Sequence, residues 1–424
     1  MKKVKREGLN PNYGYLEMIV GPTKAGKTCE LIAELRNKGR GRKTLVVNHE
    51  KDEYKGFIFS PPHVKEDSET VDGLNGLVLY IRKHFKDFDM LFIDNVHLFN
   101  ESFNNREKDL YIDDLIEYLT YRGKRVFATG VEFDVEGNMM DRVPELLSRA
   151  EYIKKMKTLC PICASQGFIK EIATRSKIVH GETIPVDLFH YYHPNQKMTL
   201  ERIPSDFTFI VGPMWTQKTF SSQGQYNKYD WVGKWIKKHS NQEIKTIYIK
   251  PIIDERYYVD LVYSHDDVDV NDLDEKGRPK PIVDLKIPCF NIDTINEFYD
   301  LIKKENPKVV LYEEMEFHSF ADEAAEYMMR NNITVIGSAL DMDVFTKPFK
   351  SAPKLLAMAT NVIKRRGRCS EKGCDYDSTR TYRIPEAGEE QIVVGGVGDY
   401  FPMCRYHYTK KKGNRIPNNF GLPR

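Results

Sequence analysis

A short segment near the start of the chain has the composition and spacing of a phosphate-binding loop. Residues 21–28 read GPTKAGKT and fit the pattern G-x-x-x-x-G-K-[ST]. In such a loop, backbone N–H groups and the N-terminus of the next helix hold phosphate oxygens, the lysine reaches the terminal phosphates, and the hydroxyl is placed on Mg²⁺. We therefore predict that Gly21, Gly26, Lys27 and Thr28 bind the phosphates of a nucleotide.

A weaker version of the same loop occurs in the second half of the chain. Residues 212–219 read GPMWTQKT, so that Gly212, Lys218 and Thr219 keep the first glycine, the lysine and the hydroxyl of the pattern. Gln217 replaces the second glycine, which normally lets the backbone approach phosphate closely and often adopts a positive φ. We predict that this loop also binds phosphate. The repeat indicates an internal duplication whose long period is right for two domains.

Pairs of cysteine and histidine follow each loop at the spacing of metal sites. Five of the seven cysteines are clustered, which favours metal ligation in a reducing compartment over disulfide bonds. Zn²⁺ favours tetrahedral sets of thiolate and imidazole, and closed sets of four ligands are structural. We predict two zinc sites, the first formed by Cys160, Cys163, His190 and His193 and the second by Cys369, Cys374, Cys404 and His407.

An apolar run in each half ends in an acidic residue. In the first half this residue is Asp94, followed by Asn95, and in the second half it is Glu313, followed by Glu314. An acid at a strand end opposite a phosphate loop normally holds Mg²⁺, directly or through water. The adjacent Glu314 has the chemistry of a general base that takes a proton from an attacking hydroxyl, whereas the amide of Asn95 cannot accept a proton at neutral pH.

These motifs need strands and helices to position them, and the hydrophobic pattern predicts both. Short apolar runs of strand type alternate with helical stretches, and each loop follows such a run. The runs predicted as strands are residues 15–20, 44–48, 90–94 and 125–129 in the first half and residues 207–211, 245–249, 309–312 and 334–337 in the second. The alternation predicts an α/β fold with two P-loop-type parallel-sheet domains in tandem. We place these domains, the first and second copies, at residues 1–200 and 201–424, with zinc subdomains near residues 150–195 and 365–410.

Length and composition limit the classes of protein to which the chain can belong. A chain of 424 residues is expected to form two or more domains, and 41% hydrophobic with 30% charged residues is ordinary for a soluble globular protein. A formal net charge of +2 argues against a dedicated nucleic-acid or membrane-surface protein. No apolar run approaches bilayer length, and no hydrophobic segment of a secretory signal follows the basic N-terminus. We expect a cytoplasmic protein with no stable nucleic-acid partner and no membrane association.

Further motifs resemble those of the zinc-containing thymidine kinases, the type found in vertebrate cytosol, many bacteria, poxviruses and phages. The resemblance covers nearly the whole chain. In the second copy it rests on a D-x-R-Y segment at residues 254–257, an S-H-D triplet at 264–266, a strand end at 313–318 that corresponds to D-E-x-Q-F-F, and a K-P-F loop at 347–349. It also rests on a C-terminal lasso that contains Gly-Gly-x-x-x-Tyr at residues 395–400 and C-R-Y-H-Y at residues 404–408.

The resemblance implies a role for each of these positions. Glu314 corresponds to the base that activates the 5′-hydroxyl of thymidine, and Arg256 to the residue that neutralises phosphate charge during transfer. The residues implied in thymine binding are Met214, Phe317, Phe349 and Tyr400, whose side chains would wall the base, and Val394, Gly395 and Gly396, whose backbone would hydrogen-bond its edge. The activity implied is transfer of the γ-phosphate of ATP to thymidine, with Mg²⁺ bridging the phosphates.

The two copies depart from the family pattern in different ways. The second copy has Glu313 where the family has Asp, and Gln217 where the loop has Gly. The first copy keeps its loop, but it has Asn95 at the base position, no arginine in the segment at residues 52–54, and no K-P-F at residues 135–140. We therefore predict that the second copy is catalytic and that the first is degenerate and supports it.

Two other functions fit the same motifs. One is a non-catalytic nucleotide-binding regulator or scaffold that keeps the fold and the zinc. The other is a P-loop ATPase in which the first copy hydrolyses ATP for another purpose. Members of the family usually form tetramers, so the resemblance implies that this two-copy chain dimerises into a pseudo-tetramer. By the same analogy, two eroded copies suggest a viral or phage origin.

Overall fold

A computed structural model describes the chain over most of both copies. The described residues are 14–39, 41–60, 64–105, 108–162, 171–179, 181–186, 191–192, 206–214, 216, 218–219, 222, 245–252, 261–262, 268–273, 275, 279–281, 287–374, 376–385, 399–413 and 419–423.

The first copy contains strands that alternate with helices, as the hydrophobic pattern predicts. Its strands are β1 (Tyr15–Val20), β2 (Thr44–His49), β3 (Phe57–Ser60), β4 (Val64–Asp67), β5 (Glu69–Val71), β6 (Met90–Ile93), β7 (Phe103–Asn105), β8 (Lys108–Leu110), β9 (Arg125–Gly130), β10 (Tyr152–Lys155), β11 (Thr158–Leu159), β12 (Glu171–Ala173), β13 (Arg175–Val179) and β14 (Glu182–Val186). Its helices are α1 (Lys27–Lys38), α2 (Gly73–His84), α3 (Ile112–Tyr121) and α4 (Val143–Arg149).

Six of these strands form a central sheet in the order β10-β1-β9-β6-β2-β5, and every pairing in it is parallel. All residues of β1 and β6 are buried, which is typical of parallel strands covered on both faces. Because the strands are parallel, their C-terminal ends lie at one edge of the sheet. The first phosphate loop follows β1, and Asp94 follows β6, so both lie at that edge, where open α/β sheets bind their ligands.

The second copy repeats this arrangement. Its strands are β15 (Phe207–Val211), β16 (Thr246–Pro251), β17 (Val268–Leu273), β18 (Pro279–Pro281), β19 (Phe290–Ile292), β20 (Val309–Tyr312), β21 (Thr334–Ala339), β22 (Asn361–Lys364), β23 (Gly367–Arg368), β24 (Asp377–Ser378), β25 (Arg380–Arg383) and β26 (Tyr400–Met403). Its helices are α5 (Ile295–Glu305), α6 (Ala321–Arg330), α7 (Ala352–Met358) and α8 (Arg405–Lys412). No helix within the described ranges combines the length and apolar character needed to cross a bilayer.

The central sheet of the second copy has the strand order β22-β15-β21-β20-β16-β19, again with parallel pairing throughout. This order matches that of the first sheet strand for strand, so that β15 corresponds to β1, β20 to β6 and β21 to β9. The match confirms the predicted fold class, two parallel-sheet α/β domains in tandem. It also allows residues of one sheet to be aligned with residues at the same position in the other sheet.

The chain forms two compact units, each built from more than one segment. The first contains residues 1–158, 176–185 and 405–424, and the second contains residues 159–175 and 186–404. The C-terminal segment therefore belongs to the unit that holds the first sheet.

A buried arginine fixes this C-terminal segment within the first unit. Arg405, the first residue of α8, is 5% exposed. Its Nε and Nη2 atoms lie 3.0 and 2.7 Å from Oε1 of Glu151, and its Nη1 atom lies 2.8 Å from Oε1 of Glu117. Further along the segment, the ring of Phe420 packs against Phe103 with centroids 5.5 Å apart. The segment is thus held by both ion pairs and apolar contact.

Candidate active site

The lysines of the two phosphate loops make the same contact. Lys218 is buried, and its Nζ donates to the carbonyl of Pro213 at 3.0 Å. Lys27 is also buried and donates to the carbonyl of Pro22 at 2.7 Å. Burial lowers the pKa of Lys27 to about 8, against the opposite effect of two nearby carboxylates. An ammonium group with so little contact with water favours a bound anion, as the phosphate-loop motif predicts.

Glycine is required at the first position of both loops because the chain passes close by. Gly212 has a φ of 151°, and a Cβ there would lie 2.3 Å from the carbonyl oxygen of Arg365. Gly21 has a φ of 154°, and a Cβ there would lie 2.5 Å from the carbonyl oxygen of Met156. The second glycine of the first loop, Gly26, has a φ of 79° and precedes α1. Its counterpart, Gln217, lies outside the described residues.

The acid after the middle strand of the second sheet is surrounded by hydroxyl groups. Glu313 is buried and accepts hydrogen bonds from Tyr248 Oη and Ser338 Oγ, both at 2.5 Å. The hydroxyl of Thr219, from the phosphate loop, lies 3.4 Å from Oε2 of the same carboxyl group. Burial raises the pKa of Glu313, and the hydroxyl donors oppose that rise. The loop hydroxyl and the strand-end acid therefore meet, as the motif predicts.

The corresponding acid of the first sheet, Asp94, has a similar environment without a tyrosine. Thr28 Oγ1 lies 3.0 and 3.2 Å from its two carboxyl oxygens, and Thr129 Oγ1 donates at 2.5 Å. By the register of the strands, Val46 holds the place that Tyr248 holds in the second sheet. Tyr248 is not among the residues predicted for the site. Two features of the sequence could have indicated it. Tyr248 places a hydroxyl group in the middle of a buried strand, and Glu313 is one methylene longer than the aspartate of the first copy.

Glu314 and Asn95 occupy the same place in the two copies. Each directly follows the strand-end acid and precedes a short 3₁₀ turn, Met315–Phe317 or Val96–Leu98. Each also has left-handed backbone angles, with φ 49° and ψ 42° for Glu314 and φ 54° and ψ 50° for Asn95. Asparagine adopts this conformation more readily than other non-glycine residues, whereas glutamate is strained there. Such strain is concentrated at functional sites, which supports the predicted role of Glu314.

The side chain of Asn95 is engaged in contacts within the first unit. Its Nδ2 donates to Oδ2 of Asp52 at 2.7 Å, and its backbone N–H donates to Thr129 Oγ1 at 2.9 Å. Asp52 belongs to the segment that resembles D-x-R-Y without its arginine. The first copy therefore has an amide tied to a carboxylate at the place where the second copy has a carboxylate.

Two aromatic residues predicted to bind thymine lie together in the second unit. The rings of Phe317 and Phe349 meet edge to face, with centroids 6.0 Å apart and an interplanar angle of 87°. The Nζ of Lys350 lies 5.7 Å from the centroid of Phe317. The backbone N–H of Phe349 donates to the carbonyl of Asp341 at 3.2 Å, which ties the K-P-F loop to the segment after β21.

Other predicted site residues are described in part or not at all. The backbone N–H of Met214 donates to Thr381 Oγ1 at 3.0 Å, and Tyr400 is buried in β26. The predicted residues that lie outside the described ranges are Arg256, Val394, Gly395, Gly396, Cys163, His190 and His193.

The second predicted zinc set forms a cluster. One ligand atom from each of Cys369, Cys374, Cys404 and His407 lies within 4.8 Å of the others. The sulfur atoms of Cys374 and Cys404 are 4.0 Å apart, close to the spacing of about 3.8 Å that tetrahedral Zn–S bonds give. The donor set, three thiols and an imidazole, fits a structural zinc ion. Of the first set, only Cys160 is described, and it is buried.

Replacing Cys404 by serine is expected to lower the zinc content of the purified chain by one ion per molecule. The hydroxyl of serine is a much poorer zinc ligand than a thiolate, and structural zinc sites need all four ligands. Atomic emission on the dialysed protein measures this content. The matched control is Cys29→Ser, which changes an exposed cysteine outside the cluster and is expected to keep the parent zinc content. An unchanged zinc content in Cys404→Ser would contradict the assignment.

A parallel sheet with a phosphate loop after its first strand and an acid after the next strand but one in the sheet defines a P-loop nucleotide-binding fold, here present twice. The family model for thymidine kinase matches residues 14–181 and 206–408. The chain therefore belongs to the thymidine kinase family, which confirms the resemblance. Membership places it among kinases, which are phosphotransferases.

Individual relatives match about half of this chain. A thymidine kinase of Mycoplasmoides gallisepticum is 28% identical over 229 residues, covering 50% of this chain and 88% of the relative. One from Mesomycoplasma hyopneumoniae is 31% identical over 199 residues, covering 46% of this chain and 91% of the relative. One from Pseudothermotoga lettingae is 27% identical over 205 residues, covering 48% and 94%. A nearly complete relative thus corresponds to about one copy, in agreement with a tandem duplication.

Proposed function

We propose that this chain is an ATP-dependent thymidine kinase and that its second copy performs the transfer. The observation that carries the proposal is the difference at one structural position. The second copy has the carboxylate of Glu314 directly after the strand-end acid, in strained left-handed backbone, and the first copy has Asn95 there. Only the carboxylate can take a proton from an attacking hydroxyl.

The phosphate end of the site would hold ATP with Mg²⁺. Lys218 would bind the terminal phosphates, and Thr219 and Glu313 would hold the metal. Their oxygen atoms lie 3.4 Å apart, and hydroxyl and carboxylate oxygens are donors that Mg²⁺ prefers. When bound, the metal neutralises charge on the phosphates. The residues of the chain supply the alignment of the phosphates, which is most of what phosphoryl transfer requires.

The nucleoside end would position the 5′-hydroxyl of thymidine beside Glu314. As the bond from the 5′-oxygen to the γ-phosphorus forms and the bond from the γ-phosphorus to the β–γ bridging oxygen breaks, the hydroxyl proton passes to Glu314. Arg256 would neutralise charge on the transferred group, as the family resemblance implies. The products are thymidine monophosphate and ADP.

The thymine ring would bind between apolar side chains. Phe317 and Phe349 are already in edge-to-face contact, and aromatic rings of this kind form a rigid wall for a flat base. Met214 and Tyr400 would complete the wall. The backbone of residues 394–396 would hydrogen-bond the edge of the base, so that the base is recognised largely by main-chain groups.

The first copy would bind nucleotide without transferring phosphate. Its complete loop, with Gly21, Gly26, Lys27 and Thr28, would hold the phosphates, and Asp94 would hold Mg²⁺. We also propose a second zinc site at Cys160, Cys163, His190 and His193, copies that span residues 1–200 and 201–424, and a homodimer that resembles the tetramers of the family. Cytoplasmic location follows from the resemblance and from the use of cysteine.

A matched pair of lysine substitutions tests which copy is catalytic. Lys218→Ala is expected to lower the rate of thymidine phosphorylation by about 100-fold or more, the loss typical when a donor that stabilises transition-state charge is removed. Lys27→Ala removes the same group from the other loop and is expected to keep most of the rate. The measurement is transfer of labelled γ-phosphate from ATP to thymidine by the full-length chain, with ATP binding measured in parallel.

Other results would support the other functions. Loss of transfer in Lys27→Ala alone would place the chemistry in the first copy, and equal loss in both variants would indicate a composite site. Nucleotide binding without any transfer by the parent chain would support a regulator or scaffold. ATP hydrolysis that needs no thymidine and is lost in Lys27→Ala would support the ATPase.

A further inference from the structure

Within the proposed kinase site, we propose that Glu316 is a positioning residue whose neutral carboxyl group donates a hydrogen bond to Glu314. Glu316 lies two residues after Glu314, on the 3₁₀ turn Met315–Phe317. It holds the carboxylate of the base so that one of its oxygens faces the nucleoside. The proposal rests on the assignment of Glu314 as the base, but it also makes a claim about the protonation of Glu316 that can be tested without activity.

Burial is the first observation that supports a neutral Glu316. Its side chain has 0% exposure, the lowest value for any carboxylic acid among the described residues. Oε1 accepts one hydrogen bond, from the backbone N–H of Leu340 at 2.8 Å. Oε2 is buried and makes no hydrogen bond of ordinary geometry within the described part of the chain. An ionised carboxylate with a single donor would be costly in such a place, whereas a protonated one has a hydrogen to donate.

The charges around Glu316 act in the same direction. Burial and the negative charge of Glu314 raise the pKa of Glu316 well above its ordinary value. Glu313, which directly precedes Glu314, is also an acid, so it does not stabilise a negative charge on Glu316. Asp341, which follows β21, forms an ion pair with Lys364 at 2.8 Å. The ammonium group of Lys364 is therefore already paired with another carboxylate. The side chains of Glu314 and Glu316 are in hydrogen-bond contact, so the carboxylate of Glu314 can accept a proton carried by Glu316.

The first copy provides an internal comparison. His97 stands two residues after Asn95, so it holds the place of Glu316. Burial lowers the pKa of His97 to about 3, which keeps its imidazole neutral as well. Both copies thus have a neutral polar group at this place. Two residues before that group, the second copy has the carboxylate of Glu314 and the first copy has the amide of Asn95.

The contact with Leu340 also connects the base to the nucleoside pocket. Leu340 precedes Asp341, whose carbonyl accepts the backbone N–H of Phe349. Through Glu316, the 3₁₀ turn that carries the base is therefore hydrogen-bonded to the segment that leads to the K-P-F loop. Loss of the Glu316 side chain would leave the strained Glu314 without this support, so we expect the rate of transfer to suffer more than the binding of thymidine.

Two substitutions separate positioning from a need for an ionisable group. Glu316→Gln keeps the shape and one N–H donor, so it is expected to retain most of kcat. Glu316→Leu removes the donor and is expected to lower kcat by about 10- to 100-fold, with little change in KM for thymidine. This loss is smaller than the one expected from removal of the base, because the base is present but misplaced. A kcat in Glu316→Leu equal to that of the parent, or a loss in Glu316→Gln as large as in Glu316→Leu, would overturn the proposal.

A stability measurement tests the protonation without using activity. A carboxyl group whose pKa is higher in the folded than in the unfolded state favours folding at low pH, and this contribution is lost as pH rises from the unfolded pKa towards the folded pKa. Glu316→Gln cannot ionise. The folded-to-unfolded ratio of this variant relative to the parent is therefore expected to rise with pH above about 4.5, by up to about tenfold per pH unit.

Urea unfolding of the full-length chain between pH 5 and pH 8 gives this comparison. The control is Glu326→Gln, an exposed carboxylate on α6, whose stability relative to the parent is expected to change little with pH. A Glu316→Gln variant whose relative stability is constant with pH would overturn the proposal even in an active enzyme. A rising relative stability in a chain without kinase activity would contradict the proposed function and leave the neutral state of Glu316 supported.

Discussion

Glu314→Gln is expected to lower thymidine phosphorylation by about 10²- to 10⁴-fold, the usual contribution of a general base. Glutamine has the same shape as glutamate and fits the same backbone position, but its amide cannot accept the proton of the 5′-hydroxyl. The effect is expected in kcat, because the proposed role of the carboxylate is to act on the reacting hydroxyl and not to bind the thymine ring. Steady-state kinetics with ATP and thymidine measure it.

The first copy supplies the matched control for this substitution. Asn95→Ala changes the residue that follows Asp94 in the same left-handed conformation, and it removes the hydrogen bond to Asp52. Because the first copy has no base at this place, the variant is expected to keep the parent kcat. An equal loss in both variants would indicate that both copies take part in the chemistry. Full activity in Glu314→Gln would remove Glu314 from the mechanism.

Arg405→Met is expected to lower the free energy of unfolding by about 3–5 kcal/mol, the cost of breaking a buried ion pair by removing one partner. The guanidinium contacts Glu151 through two nitrogens and Glu117 through the third, and all three side chains are largely buried. Methionine fills similar space without charge, so the two carboxylates would lose their nearest partner. Urea unfolding of the full-length chain measures the change.

Two further variants show whether the loss comes from unpaired buried charge. Arg366→Met breaks an ion pair with Asp377 in which both side chains are partly exposed, and the expected cost is about 1 kcal/mol or less. Adding Glu151→Gln to Arg405→Met removes one of the unpaired carboxylates and is expected to restore part of the stability. Because His407 lies two residues after Arg405, zinc content is measured for each variant. A loss in Arg405→Met no larger than in Arg366→Met would contradict the interpretation.

Local patterns predicted much of this fold because its elements are encoded locally. A buried parallel strand consists of consecutive apolar residues, and the phosphate loop must follow it directly, so the eight predicted strands were all found in the two central sheets. The second zinc set was also predictable, because its ligands lie in two short pairs. The strand-end acids Asp94 and Glu313 were found for the same reason, since each directly follows its strand.

Contacts between distant parts of the chain were not predictable in this way. Tyr248 binds Glu313, Leu340 binds Glu316, and Glu151 binds Arg405, across 65, 24 and 254 residues respectively. Nothing in the local spacing of these residues indicates that they meet. Each of these residues could equally be an ordinary surface or core residue. Only the packing of the folded chain decides which carboxyl group is buried beside which donor.

The sequence by itself determined that the chain is a duplicated P-loop protein, that its better phosphate loop lies in the first copy, and that a second carboxylate directly after the strand-end acid occurs only in the second copy. These features depend on residue type and local spacing, which fix strands, loops and ligand pairs. Only the tertiary structure decided that Glu314 and Asn95 share one left-handed backbone position, that Glu316 is wholly buried beside Glu314, and that the C-terminal segment belongs to the first unit. Burial and pairing with distant residues determine whether an acidic or basic side chain is charged. Both arise only when distant segments pack together.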